Sequence, residues 1–269
     1  MLEQALDYHA ECDALHAHLA AMPEAFYSRA TQFKRWTADD VLGHLHMFDV
    51  AAKLTLESDD GFAGFTAGIR KALGAGLTVA QYTHKWLEGC RGPALLARWH
   101  GFATELAALY GAADPGRRVR WGGPPMSVRS CISARQMETW AHGQALWDLA
   151  GHDRDEHDRI RNIVVIGVNT FGFSFVNRKL AVPPRPALRL VSPSGAIWEW
   201  PAEAGSQDRI EGSAAEFCRV VAQTRNVADT ALAVHGDAAR RWMSIAQCFA
   251  GPPVEPPAAG TRHTSAAPG

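Results

Sequence analysis

Apolar positions recur at about one-turn spacing through the first half of the chain and give way to alternation in the second, so helices are expected first and a mixed α+β region after them. Residues 2–22 carry Leu2, Ala5, Leu6, Cys12, Leu15, Leu19 and Met22 along one face, and Pro23 ends the run. Thr37 is placed to cap a second helix reaching to about residue 57, with Asp39 and Asp40 in its first turn where the helix dipole favours acids. Residues 59–76 are Gly-rich and read as an insertion or lid with a short helix over 65–73. A third long helix is predicted over 78–110 with a break at 89–93, and a fourth over 127–150 that ends at Gly151. Long helices joined in this way predict an antiparallel four-helix bundle.

Beyond it, residues 157–180 are apolar nearly all round and predict a buried helix. The segments 187–191 and 196–200 alternate about Ser192-Pro193-Ser194-Gly195 as a hairpin would. Strands are predicted at 208–212 and 230–234, and helices at 213–223 and 237–249. The organisation that follows is α+β: a helical domain over 1–155, a connecting buried helix over 156–180, a small α+β domain over 181–250 and a Pro/Ala-rich disordered tail over 251–269.

Composition narrows the functional classes. Lys plus Arg (27) nearly balance Asp plus Glu (28) over 269 residues, which gives no global field for nucleic acid or an anionic membrane surface. The longest apolar run, 163–176, is interrupted by Gly167, Asn169, Thr170, Gly172 and Ser174 and falls short of a membrane span. Five scattered cysteines without a C-x-x-C pair argue against a disulfide framework, and with an acidic, amphipathic start the expected location is the cytoplasm. No P-loop, dinucleotide fingerprint or H-E-x-x-H stands in the sequence, so the helix-borne metalloproteases do not fit.

Twelve histidines remain to be sorted. Glu138 and His142 stand four apart on the fourth helix, so carboxylate and imidazole share one face and can close on one ion. A simple helix-stabilising Glu–His pair would have the same spacing, but Gln144, Trp147 and Asp148 make this stretch unusually polar and aromatic for a bundle interior. His44, beside Val41, Leu45 and Phe48, points into the bundle from the second helix and is by itself either a hydrogen-bonded core residue or a ligand. Together the three make a two-histidine, one-carboxylate set that leaves positions open, the mark of a catalytic rather than a structural metal site. Nitrogen and oxygen donors suit Zn²⁺ first, with Fe²⁺, Ni²⁺ and Mn²⁺ also open. His46 is expected at the surface or behind the ligands, His18 in solvent, His9 and His16 on the apolar stripe, and His152 and His157 in a solvated charged linker.

The run Trp36-Thr37-x-x-Asp40-Val41-Leu42-Gly43-His44-Leu45, followed by Glu138-x-x-x-His142, resembles the DinB-like metal-binding four-helix bundles, and within them the mycothiol-dependent maleylpyruvate isomerase group of actinobacteria. Residues 121–151 and the end with Asp229-Thr230, Gly236-Asp237 and 246–253 are similar to an actinobacterial branch of that group. The resemblance implies a sterol-carrier-like C-terminal domain, His44, Glu138 and His142 as metal ligands, and mycothiol as thiol cosubstrate. It also implies Arg225 as an arginine directed at the substrate, although a surface arginine pairing with Asp229 fits the sequence as well. One departure stands out: where the group often has Asp three residues after the second histidine, this chain has Ala145. The expected function is attack of an activated thiol on a small electrophile, as S-transferase, thiol-exchange enzyme or cis-trans isomerase, by a monomer or homodimer that binds neither nucleic acid nor membrane. A thiol-independent metallohydrolase and a non-catalytic ligand-binding module are the alternatives.

Overall fold

The computed structural model describes residues 1–265 and divides the chain into two compact units, Met1–Leu149 and Ala150–Gly269. The first unit is helical: α1 (Glu3–Ala20), α2 (Ala38–Glu57), α3 (Asp59–Gly74), α4 (Val79–Trp86), α5 (Gly92–Ala112) and α6 (Val128–Ala150), whose last residue opens the second unit. A two-residue antiparallel ladder, β1 (Arg118–Val119) with β2 (Met126–Ser127), leads into α6. It was not visible as a pattern, because two residues are too few to show alternation.

Local chemistry explains where the helices start. Thr37 Oγ1 accepts from Asp40 N at 3.1 Å while Asp40 Oδ2 accepts from Thr37 N at 2.8 Å, a reciprocal cap that fixes the first turn of α2. The same device, Thr78 with Gln81, opens α4. Asp39 Oδ1 accepts from Gly92 N at 2.6 Å and so ties the start of α5 to the start of α2. Central in the unit, α2 packs on α3, α4 and α5, while α1 packs on α5. Gly43 permits the approach of α4, since a Cβ there would lie 2.8 Å from both Leu87 Cδ1 and Thr83 Cγ2.

Several expectations are corrected. The stretch 59–76 is helical through Gly74, as α3, because Ser58 Oγ accepts from Gly61 N at 3.1 Å and starts the helix six residues early. The predicted buried helix over 157–180 is instead a 3₁₀ turn, Asp158–Ile160, followed by α7 (Arg161–Asn169) and α8 (Phe171–Val176). Thr170 marks the break, its hydroxyl bonding back to the Ile166 and Gly167 carbonyls at 2.8 and 3.1 Å.

The second unit continues with β3 (Ala187–Val191), β4 (Ile197–Trp200), β5 (Arg209–Ser213), α9 (Ala214–Val221), β6 (Ala233–His235) and α10 (Asp237–Ile245). Strand order is β4-β3-β5-β6, with β3 and β4 as the hairpin, β5 parallel to β3, and β6 antiparallel to β5. Leu188, Leu190 and Ile210 face a core shared with Phe217 and Trp242, and α9 packs over β3 and β5. Gly236, at φ 93°, has no room for a side chain: a Cβ would lie 2.0 Å from the Asp208 carboxylate, which caps α10 through Ala238 N and Ala239 N at 2.7 and 3.1 Å.

Disorder is the wrong description for residues 251–265. They form no regular element, yet Arg178 and Gln223 donate to the Val254 carbonyl, Asn226 donates to Pro257 O at 2.8 Å, and Arg262 donates to Gln223 O at 2.7 Å. The Gln223 and Asn226 amides and the Arg178 guanidinium take the tail's carbonyls as partners, a pairing that composition does not reveal. The rest of the predicted tail, 266–269, lies outside the described residues. Among the described residues no helix is long and apolar enough to cross a membrane.

Candidate metal centre

His44 projects from the second turn of α2, and Glu138 and His142 from one face of α6. The His142 Nε2 and His44 Nε2 atoms lie 3.2 and 3.6 Å from the same oxygen, Glu138 Oε2, and one donor atom from each residue falls within 4.8 Å of the other two. Among the described residues this is the single cluster of its kind. The distances are long for charge-assisted hydrogen bonds. They match the edges of a tetrahedron instead: donors each about 2.0–2.1 Å from a shared ion stand about 3.3 Å apart. The side chains are 14%, 25% and 14% exposed for His44, Glu138 and His142, so the cluster is set in the protein but open to small molecules.

For His44 and Glu138 the surroundings favour the protonation states that ligation needs. Burial, then repulsion from His142, pushes the His44 imidazole down to about 4, so it is neutral at pH 7 with a lone pair free. Burial pushes the Glu138 carboxyl up, but His142 and His44 outweigh it and hold the group well below the usual carboxylate range. The remaining nitrogen of His44, Nδ1, is buried without a hydrogen-bond partner. Packing therefore sets that ring's orientation, with Phe48 at 4.7 Å and Trp36 at 5.2 Å between ring centroids.

Aromatic rings wall the cluster. Trp36 stacks on His142 at 5.7 Å with planes 12° apart, and Phe33 meets the same imidazole edge-on at 5.1 Å. Both rings come from one tight loop, closed by Thr31 N donating to Trp36 O at 2.7 Å and Trp36 N donating to Phe33 O at 2.9 Å. Between them Lys34 and Arg35 take φ of 50° and 61°, the left-handed region, which costs non-glycine residues roughly 1–2 kcal/mol each. The strain sits at the site, where it turns two aromatic side chains onto a single histidine.

Other predicted residues are placed differently. Arg225 lies in the second unit, 9% exposed, with Nη1 donating to Thr224 O at 3.0 Å. His18 is buried and stacks on Trp147 at 3.6 Å, which corrects its assignment to solvent. His46, expected at the surface or behind the ligands, is not at the surface: it is 2% exposed between Trp86 and Phe102. His9 and His16 are only partly covered; His9 and His100 both reach Asp13, at 3.2 and 2.7 Å, and His16 stacks on His100. Gln144 donates to Asp148 Oδ1 at 2.9 Å within α6. None of the five cysteines is in a disulfide, and four of them are buried. Sequence reasoning missed Phe33 and the buried pair Asp49–Arg135 (2.9 Å), although Arg135 stands three residues before Glu138 on the same helix face.

Comparison with known proteins gives a family, two full-length relatives and a shared fold. The family described as mycothiol maleylpyruvate isomerase N-terminal domain matches residues 8–147. Two Mycobacterium tuberculosis proteins, "Uncharacterized protein MT0041" of strain CDC 1551 / Oshkosh and "Uncharacterized protein Rv0036c" of strain ATCC 25618 / H37Rv, are each 36% identical over 248 residues, 92% of this chain and 95% of theirs. Among solved structures, the crystal structure of the mycothiol-dependent maleylpyruvate isomerase aligns with a TM-score of 0.50 at 14% identity, covering 81% of this chain and 87% of that one. A point mutant of that isomerase aligns with the same values. At that identity the structural likeness speaks to the fold.

Proposed function

The chain belongs to the mycothiol maleylpyruvate isomerase N-terminal domain family, and from that premise we propose that it is a metal-dependent enzyme that uses mycothiol, or a thiol like it, to attack a small electrophile. In this reading the helical unit is a DinB-like four-helix bundle, the second unit is a sterol-carrier-like domain, and His44, Glu138 and His142 hold a divalent cation, zinc first. The observation that carries it is the convergence of two imidazoles on one carboxylate oxygen at 3.2 and 3.6 Å, a spacing suited to three donors around an ion. Such an ion supplies Lewis acidity, which makes a thiolate available at neutral pH.

The chain's own residues do the rest. Glu138, kept ionised, is the one anion among the three donors, so the set offsets half of a divalent charge and favours an anionic fourth partner. Phe33, Trp36 and Phe48 present apolar rings around the donors and limit water at the reacting sulfur. A thiolate that adds to an unsaturated carbon and leaves after bond rotation gives isomerisation; one that stays attached, the neighbouring carbanion taking up the proton the thiol lost, gives an S-conjugate. Ala145, where related isomerases often carry Asp, favours transfer or an altered electrophile, because a polar contact beside the ligands is lost.

Metal analysis of the purified full chain tests the centre: one equivalent is expected in wild type and far less in His44→Ala, Glu138→Gln and His142→Ala. Absence of metal uptake by wild type sinks the centre. Turnover of an electrophile panel is expected to require mycothiol, and turnover unchanged without any thiol would overturn the thiol reading in favour of a hydrolase.

A further inference from the structure

A centre that draws ligands from two helices works only while those helices keep their axial and rotational register to within about half an ångström. The contacts that fix α2 against α6 beside the donors are directional. Arg135, one turn before Glu138, donates from Nε to Asp49 Oδ1 at 2.9 Å and from Nη2 to the Leu45 carbonyl at 3.2 Å. Leu45 is the residue after His44, and Asp49 lies one turn further along α2, so one guanidinium spans the turn that follows His44. The second oxygen of Asp49 accepts from Trp99 Nε1 of α5 at 3.1 Å, which anchors the carboxylate from behind. Arg135 and Asp49 are 1% and 0% exposed.

Stability alone is a poor account of this pair. Burying two charges incurs a desolvation cost that their attraction seldom exceeds, and apolar side chains of similar volume commonly do as well or better. What leucine and methionine cannot supply is direction, since apolar contacts tolerate small slides whereas a planar fork bonded to two turns of a neighbouring helix does not.

We propose that the buried Arg135–Asp49 pair is a positioning element that holds α2 and α6 in the register at which His44, Glu138 and His142 share one ion. The inference rests on the metal reading above. Its test is the affinity of the full chain for Zn²⁺ alone, measured by competition with a chromophoric chelator, together with the visible spectrum of the Co²⁺-substituted protein and the melting temperature of the metal-free protein. The double variant Asp49→Leu/Arg135→Met is expected to stay folded, melting modestly below wild type because the Trp99 indole N–H loses its acceptor, and to bind Zn²⁺ about 10- to 100-fold more weakly with an altered Co²⁺ spectrum. Arg135→Lys, which keeps the charge and loses the fork, is expected to fall between the two. A folded double variant, or a folded Arg135→Lys, that matches wild type in affinity and spectrum overturns the proposal. Should the double variant fail to fold, Arg135→Lys decides. Wild type that binds no Zn²⁺ overturns the metal reading itself, whereas wild type and variants binding equally well overturn only the positioning role.

Discussion

Two histidines two residues apart on α2 show how much a side chain's surroundings decide. His44 faces a carboxylate and a second imidazole, whereas both ring nitrogens of His46 are buried without a hydrogen-bond partner between Trp86 and Phe102. A buried unpaired polar group costs about 1–3 kcal/mol. His46→Leu is therefore expected to raise the melting temperature, by about 2–4 °C for each kcal/mol recovered. A scanning calorimetry trace that is unchanged or lower would show that the ring finds a partner in solution. The spacing of Glu138 and His142 was legible because a helix fixes which residues share a face. The burial of His18 and of His46 was not, because it depends on Trp147, Trp86 and Phe102, which reach them from elsewhere in the chain. Phe33 was hidden for a similar reason: nothing in Phe33-Lys34-Arg35-Trp36 announces two successive left-handed residues.

At the level of elements, starts were easier to read than ends. Thr37 and Asp40 carry the capping chemistry of α2 in four residues, and the structure pairs them reciprocally. Thr37→Ala removes that acceptor and is expected to cost about 1 kcal/mol, read as a lower midpoint in urea with an unchanged slope. If the midpoint stays put, the α2 terminus is held by the Asp39 contact with Gly92 instead. The 157–180 stretch was misread as one helix because its apolar residues run past Thr170, whose small hydroxyl changes the backbone's partners without changing the hydropathy pattern. The α3 helix was curtailed for the converse reason: its glycines suggested a loop, while Ser58 supplies a cap and Phe62, Ile69 and Ala72 a buried stripe.

Across the whole molecule, the α+β class and the change of character between the halves could be read from periodicity, whereas the parallel pairing of β3 with β5 could not, since register depends on residues distant in sequence. The ordered tail is the largest departure. Truncation after Ala250 leaves Arg178, Gln223 and Asn226 without carbonyls they now use, and at about 0.5–1.5 kcal/mol per hydrogen bond the loss should reach several kcal/mol. Denaturant titration of the truncated chain checks this, and full stability after truncation would show that water replaces the tail at no cost.

That tail also bears on how the protein is made. Domains generally fold as units during synthesis, the N-terminal one first. The helical unit ends at Leu149 and can close while the ribosome is still translating the rest. The second unit differs, because Arg178, Gln223 and Asn226 wait for carbonyls at Val254 and Pro257 and cannot complete their hydrogen bonds until synthesis has passed those residues. Its hydrogen bonds therefore close later in synthesis than those of the helical unit, and the segment around Val254 and Pro257 sets the point before which the second unit stays incomplete.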